Sequence, residues 1–189
     1  MVRFDAEAGE RRFETRRWGL VPGWAKSDQE GAGWINARLE SAQEKPAFRK
    51  ALRRRRCLVP ADGFYEWKSE GGRKLPHHLA LPGRALFAMA GLHETWQDGE
   101  GRILRSVAVL TMEASGPVAA IHGRMPVILA PEAYAAWLDP SWDGSAAHEL
   151  CPPGPARLVK ARPVGKRVND VRNDDAACLE LEPLPLFDR

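Results

Sequence analysis

The 189 residues predict an α+β fold with a curled or barrel-like sheet, on three observations. Short segments of strand character, separated by Gly and Pro turns, recur from residue 2 to residue 129. Only Pro46 and Pro131 mark clear helix starts. No internal repeat and no linker interrupts the chain, whose length fits one domain. Hydrophobic residues make up 44% and charged residues 28%, the balance of an ordinary globular protein. No run approaches the ~20 apolar residues that span a bilayer. The first residues lack the apolar stretch of a signal peptide, so a cytoplasmic location is expected.

The elements follow in order. Val2-Arg3-Phe4, a turn at Ala8-Gly9-Glu10 and Arg12-Phe13-Glu14-Thr15 read as a hairpin. It opens abruptly at residue 2, as if the chain began inside a domain. Trp18 to Trp24 reads as a buried strand running into a loop, and Lys26 to Gly33 as loop. Pro46 starts a short helix with Phe48 and Leu52 on one face, ending in Arg53-Arg54-Arg55-Arg56. That run suits a solvated face at the negative end of the helix dipole, or a nucleic-acid patch. Leu58-Val59-Pro60 then leads through Ala61-Asp62-Gly63 into Phe64–Lys68 and the turn Glu70-Gly71-Gly72. His77–Leu81 and Ala85–Met89 read as a second hairpin about Pro82-Gly83. Ser106–Thr111 and Pro126–Leu129 are apolar strands, Pro131 begins a helix through Trp137, and a late strand is expected from Pro163 to Val168. Residues 139–158 are the least determined.

The net charge of +3 says little about partners, but 21 of the 28 basic residues are Arg. Arg suits bidentate phosphate contacts, although a GC-rich genome would also favour it. Cys57, Cys151 and Cys178 are widely spaced and odd in number, giving neither a disulfide framework nor a metal knuckle. Cys57, in an apolar stretch, reads as a buried inert thiol.

Glu66 is the most informative residue. It lies mid-strand, and alternation puts Phe64, Glu66 and Lys68 on one face with Tyr65 and Trp67 on the other. The carboxylate stands either on a solvated face or at the mouth of a pocket. In a pocket, burial would raise its pKa and suit it to proton transfer near neutral pH. His122 occupies a loop between an apolar stretch and a strand, with Arg124 two residues on, which tilts it toward a site. Asn36 also reads as a simple turn residue. His77 and His78 point to opposite faces and cannot hold one metal together, so no metal and no cofactor is expected.

Eight fragments, taken together, strongly resemble the SOS response-associated peptidase (SRAP) family. They are Arg17-Trp18-Gly19-Leu20-Val21-Pro22-Gly23-Trp24, Ile35-Asn36-Ala37-Arg38, Glu44-Lys45-Pro46-Ala47-Phe48, and the segment from Arg56-Cys57-Leu58 to Tyr65-Glu66-Trp67. Further on come Ala88-Met89-Ala90-Gly91-Leu92, Thr111-Met112-Glu113-Ala114, Ile121-His122-Gly123-Arg124-Met125-Pro126 and Val168-Asn169-Asp170-Val171-Arg172-Asn173-Asp174. They keep the family's order and spacing across nearly the whole chain. The resemblance implies one α+β domain over residues 1–189, with a mixed, largely antiparallel sheet curled around the site. It implies a partner, single-stranded DNA carrying abasic sites, and a thiazolidine DNA–protein cross-link made by an N-terminal cysteine exposed by processing. An α-amine of pKa about 7.7–8.0 condenses with the sugar aldehyde, and the neighbouring thiol closes the ring.

By the same resemblance Asn36 would hold the amine, Glu66 would orient it and shuttle its proton, and His122 would donate a proton as the sugar opens. Arg38 and Arg124 would grip phosphates, and Trp24 and Trp67 would stack on bases. The departure lies at the start: relatives begin Met-Cys-Gly-Arg-Phe, whereas residue 2 here is Val2. The chain therefore reads as N-terminally incomplete, through an upstream start or as a shortened relative, and is expected not to cross-link as written. Two other readings stay open: a hydrolase using Glu66 and His122, and a nucleic-acid-binding module without catalysis.

Overall fold

The computed structural model describes residues 1–152 and 159–181. Its elements run β1 (Val2–Asp5), β2 (Glu10–Phe13), β3 (Arg17–Trp18), β4 (Asn36–Arg38), α1 (Pro46–Arg54), β5 (Arg56–Ala61), β6 (Phe64–Glu70) and β7 (Arg73–Ala80). Then come β8 (Phe87–Gln97), β9 (Ile103–Glu113), α2 (Gly116–Ala119), β10 (Arg124–Pro126), β11 (Ile128–Leu129), α3 (Tyr134–Leu138), α4 (Ala147–Leu150) and β12 (Lys160–Pro163). Among the described residues the strands form a nine-stranded sheet with the path β10-β9-β8-β5-β1-β2, and a three-stranded sheet β12-β7-β6. β3 and β4 join the large sheet by parallel pairing with β9, the other pairings being antiparallel. The α+β class predicted from the sequence is the class observed, and neither sheet closes on itself.

β9 explains the layering. Ala108 and Leu110 pack into a cluster with Leu20, Leu52, Leu92 and Trp137, while Val109 between them joins Leu79, Phe87, Met89 and Ile128. A strand buried on both faces has no polar side to alternate with, so Val107–Leu110 reads as an unbroken apolar run. The first cluster is roofed by α1 and α3. The second carries the small sheet, which presses Leu79 and partly buried Phe64 against it. At the ends of β8 and β9 the chain of β10 and β11 lies between them: Val127 N–H donates to Leu110 O at 2.8 Å, and Ala90 N–H to Val127 O at 2.8 Å.

The turns follow sequence chemistry. Gly71 and Gly72 take φ of 55° and 74° between β6 and β7, as a two-residue hairpin turn with both residues left-handed requires. Gly63 is needed for closeness instead: a Cβ there would lie 2.2 Å from the Nε2 of buried His78.

Several expectations are corrected. His77–Leu81 and Ala85–Met89 do not pair; β7 bonds to β6 and β12, and β8 bonds to β5 and β9. A tight 3-10 turn at Pro82–Arg84, with Gly83 at φ 67°, passes the chain from the small sheet to the large one. The late strand lies at Lys160–Pro163 and is followed by a 3-10 turn, Lys166–Asn169. Trp18 belongs to a two-residue strand and is 60% exposed; of that segment Gly19-Leu20-Val21-Pro22 is buried, and Gly23 and Trp24 are exposed. The stretch 26–33 holds a 3-10 turn, Asp28–Gly33, capped by the Ser27 hydroxyl. Part of the undetermined stretch, residues 153–158, lies outside the described residues.

The arginine run also divides: Arg53 and Arg54 fit the solvated face at the helix end, and Arg56 does not. Arg53 and Arg54 are exposed, whereas Arg56 is buried. Its five N–H groups meet the carbonyls of Leu52, Arg53, Trp137, Asp139 and Trp142 at 2.6–2.9 Å, with the Trp142 ring 4.8 Å away. The guanidinium thus caps the C-terminal carbonyls of α1 and ties them to the chain around α3. Replacing Arg56 by Leu leaves these acceptors dry and unpaired. Arg56→Leu is expected to lower unfolding free energy in urea by about 3–4 kcal/mol, with exposed Arg53→Ala costing less than about 0.5 kcal/mol.

Candidate functional site

Glu66 stands on the face of β6 that carries Phe64, so it falls at the rim where the small sheet meets the large one. Its side chain is 22% exposed, and burial raises its pKa above the ordinary carboxylate range against the opposing charge of His122. His122 is delivered from the other sheet. It follows α2, where its N–H donates to Val118 O at 3.0 Å, and precedes β10. Glu66 Oε2 and His122 Nδ1 lie 3.5 Å apart.

Asn36 and Arg38 occupy β4 with buried Ala37 between them, so both side chains share the exposed face. β9 is the common neighbour: Thr111 pairs with Arg38 on one edge and Pro126 of β10 on the other. At about 4.8 Å per strand, that sets β4 and β10 about 10 Å apart. The side chain of Asn36 makes no hydrogen bond among the described residues. A bridge over β9 joins the two edges: Glu40, just past β4, accepts from Arg124 Nη1 and Nη2 at 2.8 Å each.

The remaining candidates lie at different places. Trp24 is 59% exposed and rests edge-on against Trp34, their centroids 5.8 Å apart, with Trp34 in turn against Phe48. Trp67 is on the face of β6 away from Glu66, its indole N–H donating to Asn169 Oδ1 at 2.7 Å. Cys57 and Cys151 are buried, and burial pushes both thiols up to about 12, far from a thiolate. Among the described residues no group of three or more His, Cys, Asp or Glu is placed to hold a metal ion, and no helix is long and apolar enough to cross a membrane.

A cavity of about 750 Å³ opens elsewhere, lined by Arg3, Glu14, Arg16, His93 and Arg105 among others. Its cations are largely consumed internally: Arg3 pairs with Glu14 at 2.6 Å and Asp5 at 3.0 Å, and Arg16 with Glu14 at 2.6 Å. His93 Nδ1 is buried there without a hydrogen-bond partner among the described residues. Burial, with the charges of Arg16, Arg55 and Arg3, pushes its pKa down to about 3.

Sequence reasoning missed Glu40 and the position of Trp18, whose indole N–H donates to Ile35 O at 2.7 Å. The partners of Glu40 are far away in sequence, and no local pattern marks it. The part played by Asn169 is equally non-local, although it falls within one of the quoted fragments.

The molecule is thus a small α+β protein with a carboxylate–imidazole pair at the seam of two sheets. It belongs to the SOS response associated peptidase (SRAP) family, whose model matches residues 1–171. It is 41% identical over 173 residues to the abasic site processing protein YoaM of Bacillus subtilis (strain 168), covering 90% of this chain and 76% of that one. Against the abasic site processing protein HMCES of Gallus gallus the identity is 35%, over 94% of this chain and 60% of the relative. A crystal structure of a protein from Bacteroides thetaiotaomicron superposes with TM-score 0.78 at 28% identity, over 87% of this chain and 75% of that one. One from Bordetella bronchiseptica gives 0.74 at 29%, over 87% and 82%.

Two pH responses follow from the shifts. The folded state holds the Glu66 proton more tightly than the unfolded chain, so ionised Glu66 costs stability once pH passes through its raised pKa. Glu66→Gln is expected to raise Tm at pH 8 and to leave it nearly unchanged at pH 4. For His93 the sign reverses: the unfolded chain takes up the proton below about pH 6.5 while the folded chain refuses it down to about 3. Acid unfolding should therefore contain a component of up to about 1.4 kcal/mol per pH unit, which His93→Gln removes.

Proposed function

We propose that this chain processes abasic sites in single-stranded DNA, binding the strand across β4 and performing proton transfer with Glu66 and His122. The observation that carries the reading is the pair itself: a carboxylate raised by burial set 3.5 Å from an imidazole, with Arg38 exposed on β4. The printed names of the relatives, abasic site processing proteins in a bacterium and a bird, supply the substrate class.

In this proposal Arg38 takes a phosphate next to the lesion, since its guanidinium makes no ion pair among the described residues. Trp24 offers an exposed ring, held steady by Trp34, to a base flanking the gap. Arg124 stands differently. Two of its N–H groups are given to Glu40 and one to Thr111 O at 2.8 Å, so its contribution to a phosphate is confined to a remaining Nη1 hydrogen. Trp67, on the far face of β6, would meet only a strand that wraps around the small sheet.

Opening of the abasic sugar needs a proton delivered to the ring oxygen and one removed from the anomeric hydroxyl. His122 gives the first through Nε2, and Glu66 takes the second. An amine that condenses with the aldehyde forms an imine and releases water. A thiol on the same residue then adds to the imine carbon, and its proton passes to the nitrogen. A thiazolidine requires both groups on one residue, which Cys57, Cys151 and Cys178, all internal and buried, do not supply. Asn36, exposed on β4 without a hydrogen bond among the described residues, is the group that would hold the amine.

Anisotropy of a labelled single-stranded oligonucleotide with one abasic site, titrated at several salt concentrations, tests the reading. Log affinity should fall linearly with log salt, and Arg38→Ala should make the slope shallower by about 0.7. Trp24→Ala should cost about 1–3 kcal/mol without changing the slope. Glu66→Gln should leave binding intact and slow ring opening. Absence of binding, or binding indifferent to salt, overturns the proposal.

A further inference from the structure

The carboxylate of Glu40 closes a chain of contacts that ends on the imidazole of His122. Glu40 accepts from both terminal nitrogens of Arg124 at 2.8 Å, a fork-to-fork pairing that fixes the guanidinium plane. Arg124 Nη2 also donates to Thr111 O at 2.8 Å, anchoring the fork to the spine of β9. The Arg124 backbone then addresses His122 twice: its N–H lies 3.2 Å from Nδ1, and its carbonyl oxygen 3.0 Å from the same nitrogen. A neutral imidazole protonated on Nε2 accepts from the N–H; an imidazole protonated on Nδ1 donates to the carbonyl and faces Glu66 at 3.5 Å. In both states Nδ1 is held by Arg124, and Nε2 is left to the substrate.

We propose that Glu40 is a positioning residue of the site: by clamping Arg124 it fixes the backbone at residues 122–124 and so holds the His122 ring against Glu66. The inference rests on the reading of Glu66 and His122 as the proton-transfer pair. The pairing lowers the pKa of Glu40, chiefly through its hydrogen bond to Arg124, so the clamp stays ionised throughout the neutral range. The geometry also accounts for the donors of Arg124: they face Glu40 and Thr111, and its Nε is buried without a partner among the described residues. That is how a side chain used as a brace is spent.

The test separates positioning from simple charge. The charged groups near His122 are Glu66, Arg124 and Glu40, with Lys74 acting on Glu66. If Glu40 acted only as a charge, Glu40→Ala and Arg124→Met would leave the His122 ring in place. If the clamp positions the ring, both substitutions release it from Glu66. The measurement is the set of nuclear Overhauser contacts between the His122 ring C–H groups and the Glu66 side chain in the full chain, followed by NMR for the parent, Glu40→Ala, Arg124→Met and the double variant. Loss of those contacts in both single variants, with the double variant no further changed, is expected. The exchanged pair E40R/R124E should recover part of the parental contacts. Loss in one single variant alone, additive losses or no loss overturn the proposal.

Glu40 is half-exposed, so its truncation leaves no cavity, and Glu40→Gln, which keeps one acceptor, serves as a second variant expected to fall between parent and Glu40→Ala. The anisotropy titration of the parent with abasic DNA is run alongside. Coordinated loss of the His122 contacts without DNA binding would sink the functional reading and leave the clamp standing; DNA binding with an indifferent His122 would do the reverse.

Discussion

The seam between the two sheets is the constraint on which the rest depends. Leu79 and Phe64 of the small sheet must be pressed against Met89, Val109 and Ile128 of the large one, because neither sheet has another way to cover that face. Alternation then leaves Glu66, two residues beyond Phe64, no choice of side. It is drawn to the edge of the same dry layer, and its raised pKa is the electrostatic consequence of a packing requirement.

The arginines show how the same residue type is divided between fold and surface. Arg56 spends all five donors on backbone carbonyls and joins α1 to the chain around α3. Arg16 and Arg55 are spent on Glu14 and Glu94. Arg124 is spent on Glu40 and Thr111. Arg38 is the site arginine left over for solvent, so an Arg-rich composition says less about anion binding than the list of acceptors each guanidinium already holds.

The residues read unevenly from the chain alone. Turns were legible because their chemistry is local: Gly71 and Gly72 adopt the positive φ that their place between two strands calls for. The buried thiol of Cys57 and the face shared by Phe64 and Glu66 were legible for the same reason, and eight ordered fragments pointed to the family. What escaped was set at a distance. His77–Leu81 looks like one arm of a hairpin with Ala85–Met89, yet β12, some eighty residues on, competes for the same edge and wins it. Nothing in Arg53-Arg54-Arg55-Arg56 distinguishes the buried member, because its acceptors at Trp137, Asp139 and Trp142 arrive from another region. Glu40 was silent because its partner is 84 residues away.

That last separation bears on the order in which the molecule is made. The link between Glu40 and Arg124 closes a loop longer than a third of the chain, and loop closure of that kind is costly early and rewarding only late. A nascent chain that has emerged through the β8–β9 hairpin already holds much of the large sheet but lacks His122, the imidazole that reaches Glu66 from the other sheet. The pairing of Glu66 with His122 is therefore born with the insertion of β10, as one of the final acts of folding, when a scaffold exists to receive it.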